Sequence, residues 1–197
     1  MRRILAGLVL ILMLTGGAAA GPYADGVAAY DRGDYATAMR LFRPLAEQGR
    51  ADAQYNLGNM YSKGLGVPQD YAEAVKWYRL AAEQGLADAQ YNLGVMYSKG
   101  LSVPQDEAEA VKWFRLAADQ GDAGAQYNLG IMYSEGQGVA HDLVKAHMWF
   151  NLAASRFPAS KTEYRDSAIQ NRDLAASRLT PAQLAEAQKL VREWKPK

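Results

Sequence analysis

Residues 51–86 and 87–122 are one 36-residue sequence written twice, with six differences. The first copy reads ADAQYNLGNMYSKGLGVPQDYAEAVKWYRLAAEQGL and the second ADAQYNLGVMYSKGLSVPQDEAEAVKWFRLAADQGD. A third copy starts at Ala123 as AGAQYNLGIMYSEGQGVAHDLVKAHMWFNLAAS. A period of this length is that of helical solenoids. One such unit cannot bury its apolar face alone and does so only by stacking on its neighbours. The repeat therefore predicts an all-α protein, an α-solenoid of stacked antiparallel helix pairs.

Each copy divides into two helices. The first runs from about Ala51 to Lys63, where Ala53, Leu57, Met60 and Tyr61 recur at helical spacing and face the partner helix. Gly58 lies inside it and recurs as Gly94 and Gly130. A glycine kept inside a helical pattern points to close helix–helix approach. Gly64-Leu65-Gly66-Val67-Pro68 then breaks the chain. Asp70 is placed to cap the second helix, with Glu73 completing a capping box; Asp106 and Glu109 repeat the pair, and Asp142 with Lys145 keeps half of it. The second helix runs to about Gln84, with Ala74, Trp77, Tyr78, Ala81 and Ala82 as its apolar face and Gly85 as the glycine beyond its end.

Tyr23 to Arg50 is a shortened unit in which the extended Gly-Val-Pro-Gln-Asp loop is missing. After Ser155 the pattern changes: Phe157-Pro158 stops the helix, and two further helices are expected over about 160–178 and 181–195. Thr180-Pro181 opens the last, with Leu184, Ala187, Leu190, Val191 and Trp194 as its stripe. These helices are expected to cap the solenoid's exposed apolar end. The organisation is a leader over 1–20, a solenoid over 21–160 with units 23–50, 51–86, 87–122 and 123–158, and capping helices over 161–197.

The leader is read from Arg2-Arg3, an eleven-residue apolar run from Ile4 to Leu14, and small residues at Ala18 and Ala20. This is the pattern of a secretory signal, with cleavage expected after Ala20. Retention as a membrane anchor is the alternative, although the run is short of the roughly 20 apolar residues that span a bilayer. The expected location is periplasmic or secreted, without membrane insertion after cleavage. Removing Arg2 and Arg3 takes the 22 Lys and Arg to 20, against 21 acidic side chains. Such a balance has no basic footprint for nucleic acid. With 49% hydrophobic residues the chain is too apolar to be disordered, and without cysteine it has neither disulfides nor thiolate metal sites.

The pattern Ala51-x-Ala53-x3-Leu57-Gly58-x2-Tyr61-x2-Gly64-x-Gly66-Val67-x2-Asp70, then Ala74-x2-Trp77-Tyr78-x2-Ala81-Ala82-x2-Gly85, resembles the Sel-1-like repeat family, a relative of the tetratricopeptide repeat. Residues 23–50 resemble a plain tetratricopeptide unit, and Leu179 to Gln188 is similar to the closing helix of many bacterial members. The resemblance implies a scaffold or regulator of protein complexes. Bacterial members are often exported, and some influence cell-envelope enzymes. One exported, cysteine-rich subgroup was associated with penicillin binding or β-lactam hydrolysis; this chain lacks the cysteines that mark it.

No catalytic constellation stands out. Ser-x-x-Lys, G-x-S-x-G, P-loop and H-E-x-x-H patterns are missing from the sequence. His141 and His147 fall on different helix faces and lack a third ligand; His147, at the position of Val75 and Val111, is read as a partly buried or surface helix residue. Trp77, Trp113 and Trp149 could stack on sugars but fit a core series better. The expected protein is therefore not an enzyme and needs neither cofactor nor metal; a hydrolase of peptidoglycan or β-lactam is the alternative.

Solenoids bind partners on an extended concave surface, which the related tetratricopeptide fold builds from the first helix of each pair. On that helix Tyr55, Asn59 and Lys63 share one stripe, as do Tyr91, Val95 and Lys99, and then Tyr127 and Ile131. Asn56, Asn92 and Asn128 flank the tyrosines. The tyrosines either line a groove for a protein or peptide or pack between adjacent first helices. The asparagines either hydrogen-bond an extended peptide or stitch neighbouring repeats. Asn59, Val95 and Ile131 vary between copies, which suits a contact surface. A monomer is expected.

Overall fold

The computed structural model describes residues 21–197; the expected leader and its cleavage point lie outside the described residues. The shortened first unit is α1 (Pro22–Asp31) and α2 (Tyr35–Glu47). The three full repeats are α3 (Ala51–Lys63) with α4 (Tyr71–Glu83), α5 (Ala87–Lys99) with α6 (Glu107–Asp119), and α7 (Ala123–Glu135) with α8 (Leu143–Arg156). α9 (Thr162–Ala176) and α10 (Pro181–Glu193) close the chain. Each helix packs on the next in sequence as far as α9, and α10 returns to α8. No strand occurs among the described residues, and no helix there is long and apolar enough to cross a membrane.

Each pair is held by a glycine under an aromatic ring. A Cβ built on Gly58 would stand 2.5 Å from Cδ1 of Tyr78. On Gly94 it would stand 2.7 Å from Cδ1 of Phe114, and on Gly130 2.5 Å from Cδ1 of Phe150. Gly26 stands in the same way under Phe42, so the shortened unit obeys the same rule. Only a hydrogen on the first helix lets the ring seat against its backbone. Leu57, Leu93 and Leu129 fill the remaining space, all fully buried.

Polar ladders join one repeat to the next. Gln54, Gln90 and Gln126 are buried. Their amides donate to the carbonyls of Ala46, Ala82 and Ala118 at 3.0–3.1 Å. Gln84 then donates to Oε1 of Gln54 at 2.7 Å, and Gln120 to Oε1 of Gln90 at 2.8 Å. Arg156 stands at the next rung, and Oε1 of Gln126 has no hydrogen-bond partner. A second ladder runs from Arg43 to the Tyr61 hydroxyl at 2.8 Å, from Arg79 to Tyr97 at 2.6 Å, and from Arg115 to Tyr133. Each satisfied buried amide removes a desolvation cost of about 1–3 kcal/mol.

The capping boxes expected at Asp70 and Asp106 form by half only. Asp70 accepts from the Ala72 and Glu73 amides, Asp106 from Glu109, and Asp142 from Lys145. The reciprocal bond is missing because the three aspartate amides donate to the carbonyls of Tyr61, Tyr97 and Tyr133. Glu73 is thereby released to bond Lys76 and the Trp77 indole, and Glu109 to bond Lys112. A full box does form at Thr180 and Gln183.

One residue departs from the geometry of its copies. Gly66 and Gly138 have φ of +72° and +65°; their counterpart in the second repeat is Ser102, at φ +56°. A left-handed residue with a Cβ costs about 1–2 kcal/mol, part of which glycine returns through unfolded-chain entropy. Ser102→Gly is therefore expected to raise stability by about 0.5–1 kcal/mol. Thermal denaturation should show a melting point higher by about 1–4 °C; an unchanged or lower value would contradict the strain at this turn.

The capping helices do cover the last repeat. Leu190, Val191 and Trp194 of the closing segment pack on the cluster that holds Met148, Trp149 and Leu152. His147, expected to be partly buried or at the surface, is 5% exposed in this layer. Burial and the nearby Arg172 hold its imidazole below its ordinary pKa.

Candidate functional site

The principal cleft has a volume of about 590 Å³. Its walls bring together the ladder tyrosines of all three full repeats, Tyr55, Tyr91 and Tyr127, with Asn92 and Asn128 beside them. The tyrosines also pack. Tyr55 lies against Tyr78 with ring centroids 6.1 Å apart, Tyr91 against Phe114 at 5.9 Å, and Tyr127 against Phe150 at 5.7 Å. Each ring is thus tilted against the aromatic that the glycine seats and also lines the cleft. Groove and packing are not alternatives here. Tyr23 against Phe42, at 5.7 Å, extends the pattern into the shortened unit.

The asparagines stitch. Asn56 donates to the Tyr23 hydroxyl at 3.2 Å, and Asn92 to Oδ1 of Asn59 at 3.4 Å. In the closing segment Asn171 takes over, donating to the Tyr127 hydroxyl at 3.0 Å.

Six of the expected contact residues stand outside the cleft lining: Asn56, Asn59, Lys63, Val95, Lys99 and Ile131. Lys63 and Lys99 are the exposed last residues of α3 and α5. The variation of Asn59, Val95 and Ile131 has an internal cause. Tyr78 donates its hydroxyl to Oδ1 of Asn59 at 2.8 Å. The next two repeats carry Phe114 and Phe150, which have no hydroxyl, and the facing residue becomes apolar. The position follows its neighbour across the helix pair.

Other lining residues lie where sequence periodicity does not look. Gly121, Asp122, Ala123 and Gly124 come from the α6–α7 junction, and Arg156, Phe157, Pro158, Lys161 and Tyr164 from the segment that leaves the repeat. One signal in the sequence could have found the first group. Asp122 takes the place of Leu86, and Gly124 that of Asp88, in copies that otherwise hardly differ. At Gly124 a Cβ would stand 3.0 Å from Cε2 of Tyr91. Asp122 caps α7, accepting from the Ala125 amide at 2.6 Å. Burial pushes its carboxyl above the usual range, and Asp88 adds to the shift. Burial raises the Tyr55 and Tyr91 phenols as well, so both are neutral donors at ordinary pH.

The tryptophans do not meet the cleft. Trp77 and Trp149 are buried, and Trp113 is half-buried with its indole N–H enclosed and unbonded. His141 is exposed and stands apart from His147; among the described residues no three His, Asp or Glu side chains converge on a metal position.

Comparison with known proteins agrees with this geometry. The Sel1 repeat family model matches residues 19–49, 51–86, 87–122 and 123–156. The chain belongs to the Sel1-repeat family. The match includes the shortened first unit, which the sequence alone likened to a plain tetratricopeptide. A protective antigen of uropathogenic Escherichia coli strains, described as displaying an SLR fold, is 42% identical with a TM-score of 0.67. The match covers 79% of this chain but only 37% of the antigen. A Sel1 repeat protein from Oxalobacter formigenes is 31% identical, also with a TM-score of 0.67, over 86% of this chain and 74% of that one. No curated protein matches the chain. Sel1-repeat proteins are in general protein–protein interaction scaffolds.

Proposed function

We propose that this Sel1-repeat protein is a non-catalytic, monomeric module of the bacterial cell envelope that binds a protein or peptide in the tyrosine-lined cleft and so regulates an envelope enzyme. The observation that carries the reading is the convergence of Tyr55, Tyr91 and Tyr127, from three successive repeats, on one open cleft. Tyrosines that are rigidly packed on one side and open on the other offer large contact area at little entropic cost. Arg2-Arg3, the apolar run after them and Ala18-x-Ala20 support export with cleavage after Ala20. Asp70, Asp106 and Asp142 are occupied as helix caps, which weighs against the hydrolase reading.

The test is affinity capture from an envelope extract. Gly124→Trp fills the cleft against a half-exposed ring, and Leu80→Arg alters an exposed residue of α4 that is remote from the cleft lining. The expected result is a captured partner retained by the wild type and by Leu80→Arg, and lost at least tenfold by Gly124→Trp, with similar circular dichroism for all three. Equal capture by Gly124→Trp would remove the cleft from the binding surface.

A further inference from the structure

At the first repeat junction the chain fills a seat with its own side chain. Arg50 stands just before α3. Its guanidinium lies over the Tyr23 ring, 4.0 Å from the centroid. The same group grips Asp52 at two points, Nε to Oδ1 at 2.7 Å and Nη2 to Oδ2 at 2.9 Å. Tyrosine face and carboxylate together form a seat for a flat cation, and guanidinium is the side chain that matches both.

The next junction keeps the seat and omits its occupant. Tyr55 stands where Tyr23 stood, packed on Tyr78 as Tyr23 is on Phe42. Asp88 stands at the repeat position of Asp52, and the residue before the helix is Leu86 instead of arginine. Both Tyr55 and Asp88 line the cleft. The third junction adds a second carboxylate, Asp122, and clears space beside it by placing Gly124 where the earlier copies carry aspartate. Among the described residues neither Asp88 nor Asp122 forms an ion pair. Of the cations that line the same cleft, Arg156 lies over Trp194 at 4.2 Å and Lys161 over Tyr164 at 5.9 Å; Lys161 is also near enough to Asp122 to favour its charged form without forming an ion pair.

We infer that the cleft's occupant presents an arginine side chain, which takes at Tyr55, Asp88 and Asp122 the place that Arg50 takes at Tyr23 and Asp52. This rests on the reading of the cleft as a peptide-binding surface and names the chemistry that the surface selects. Two carboxylates without an ion pair, beside a phenol ring, favour a cation. The bidentate grip on Asp52 favours a guanidinium over an ammonium.

The test uses blocked pentapeptides, acetyl-Ala-Ala-X-Ala-Ala-amide, titrated into the labelled protein while the side-chain amide resonances of Asn92 and Asn128 are followed. X is arginine, its uncharged analogue citrulline, or glutamate. The arginine peptide is expected to bind at least tenfold more tightly than the citrulline peptide, and the glutamate peptide not at all. Asp88→Asn, at an exposed position that caps nothing, is expected to weaken the arginine peptide at least fivefold. Asp122→Asn should do the same, because asparagine preserves the helix cap. Leu86→Arg should abolish binding, since it restores at the second junction the arginine that the first junction already accommodates. Equal affinity for arginine and citrulline peptides would overturn the arginine seat while leaving the cleft a peptide site. Cleft shifts from an N-acetylglucosamine tetramer and none from the arginine peptide would overturn the seat and replace peptide by glycan as the occupant. If no pentapeptide binds, the seat is refuted, and capture with Gly124→Trp still decides whether the cleft takes a folded partner.

Discussion

Gly94→Leu should unfold the array or bring it close to unfolding. Its Cβ alone would fall 2.7 Å from the Phe114 ring, and Phe114 is 2% exposed with little room to retreat. Overpacking of a tight core costs about 1–3 kcal/mol and occasionally more. Here the new group meets the ring where helix meets helix, so a loss of about 3 kcal/mol or more is expected, against a total stability of about 5–15 kcal/mol. Phe114→Ala alone should cost about 3–5 kcal/mol through the cavity it leaves. Because the two residues occupy one space, the double variant should be less destabilised than the two singles added together. Urea unfolding of the four proteins measures this directly. Simple additivity would mean that the ring and the glycine are not coupled. The same logic applies at Gly58 and Gly130, where the rings are Tyr78 and Phe150.

A chain ending at Ser160 should lose comparable stability for the opposite reason. Met148, Trp149 and Leu152 are 8%, 5% and 4% exposed, and α9 and α10 both pack on the helix that carries them. The earlier repeats carry Lys112 and Leu116 where α8 has Met148 and Leu152, and Leu116 is 47% exposed. The third repeat is thus adapted to be covered. Uncovering large apolar side chains costs about 1.5–3 kcal/mol each. At about 2–4 °C per kcal/mol for a domain this size, the melting point should fall by about 10 °C or more, and the protein should associate through the bared face. A truncated chain that melts with the full one and remains monomeric would show that the closing helices are a tail.

Two parts of the molecule were unequally legible in the sequence. The helix limits of the full repeats could be read directly: α3 spans Ala51–Lys63 as the spacing predicts. Asp70 starts α4, and Gly58 marks the closest approach. The closing helices are shorter than expected, Thr162–Ala176 and Pro181–Glu193, because Lys161 and Trp194 stand at their ends outside helical geometry. The ladder tyrosines were found by their period. The buried glutamines were not, because an amide at helical spacing carries no apolar signal and only its two partners, 8 and 30 residues away, give it a role.

What the sequence by itself determined is everything that repeats: the period, the two helices in each unit, the glycine that admits a ring, and the polar and apolar faces. These depend on neighbours one or two turns apart, and periodicity reports such distances directly. What only the tertiary structure decided is where the repeat stops being a repeat and becomes a site. The cleft joins Tyr55 to Tyr91 and Tyr127 and gathers Lys161 and Tyr164 with Asp88 and Asp122, across separations that no local pattern records. Stacking angle and the return of the closing segment onto α8 determine which side chains meet there. So too with Asn59. Its variation suggested a ligand, and the structure assigns it to the Tyr78 hydroxyl 2.8 Å away, because a buried polar group must be satisfied by whatever packs against it.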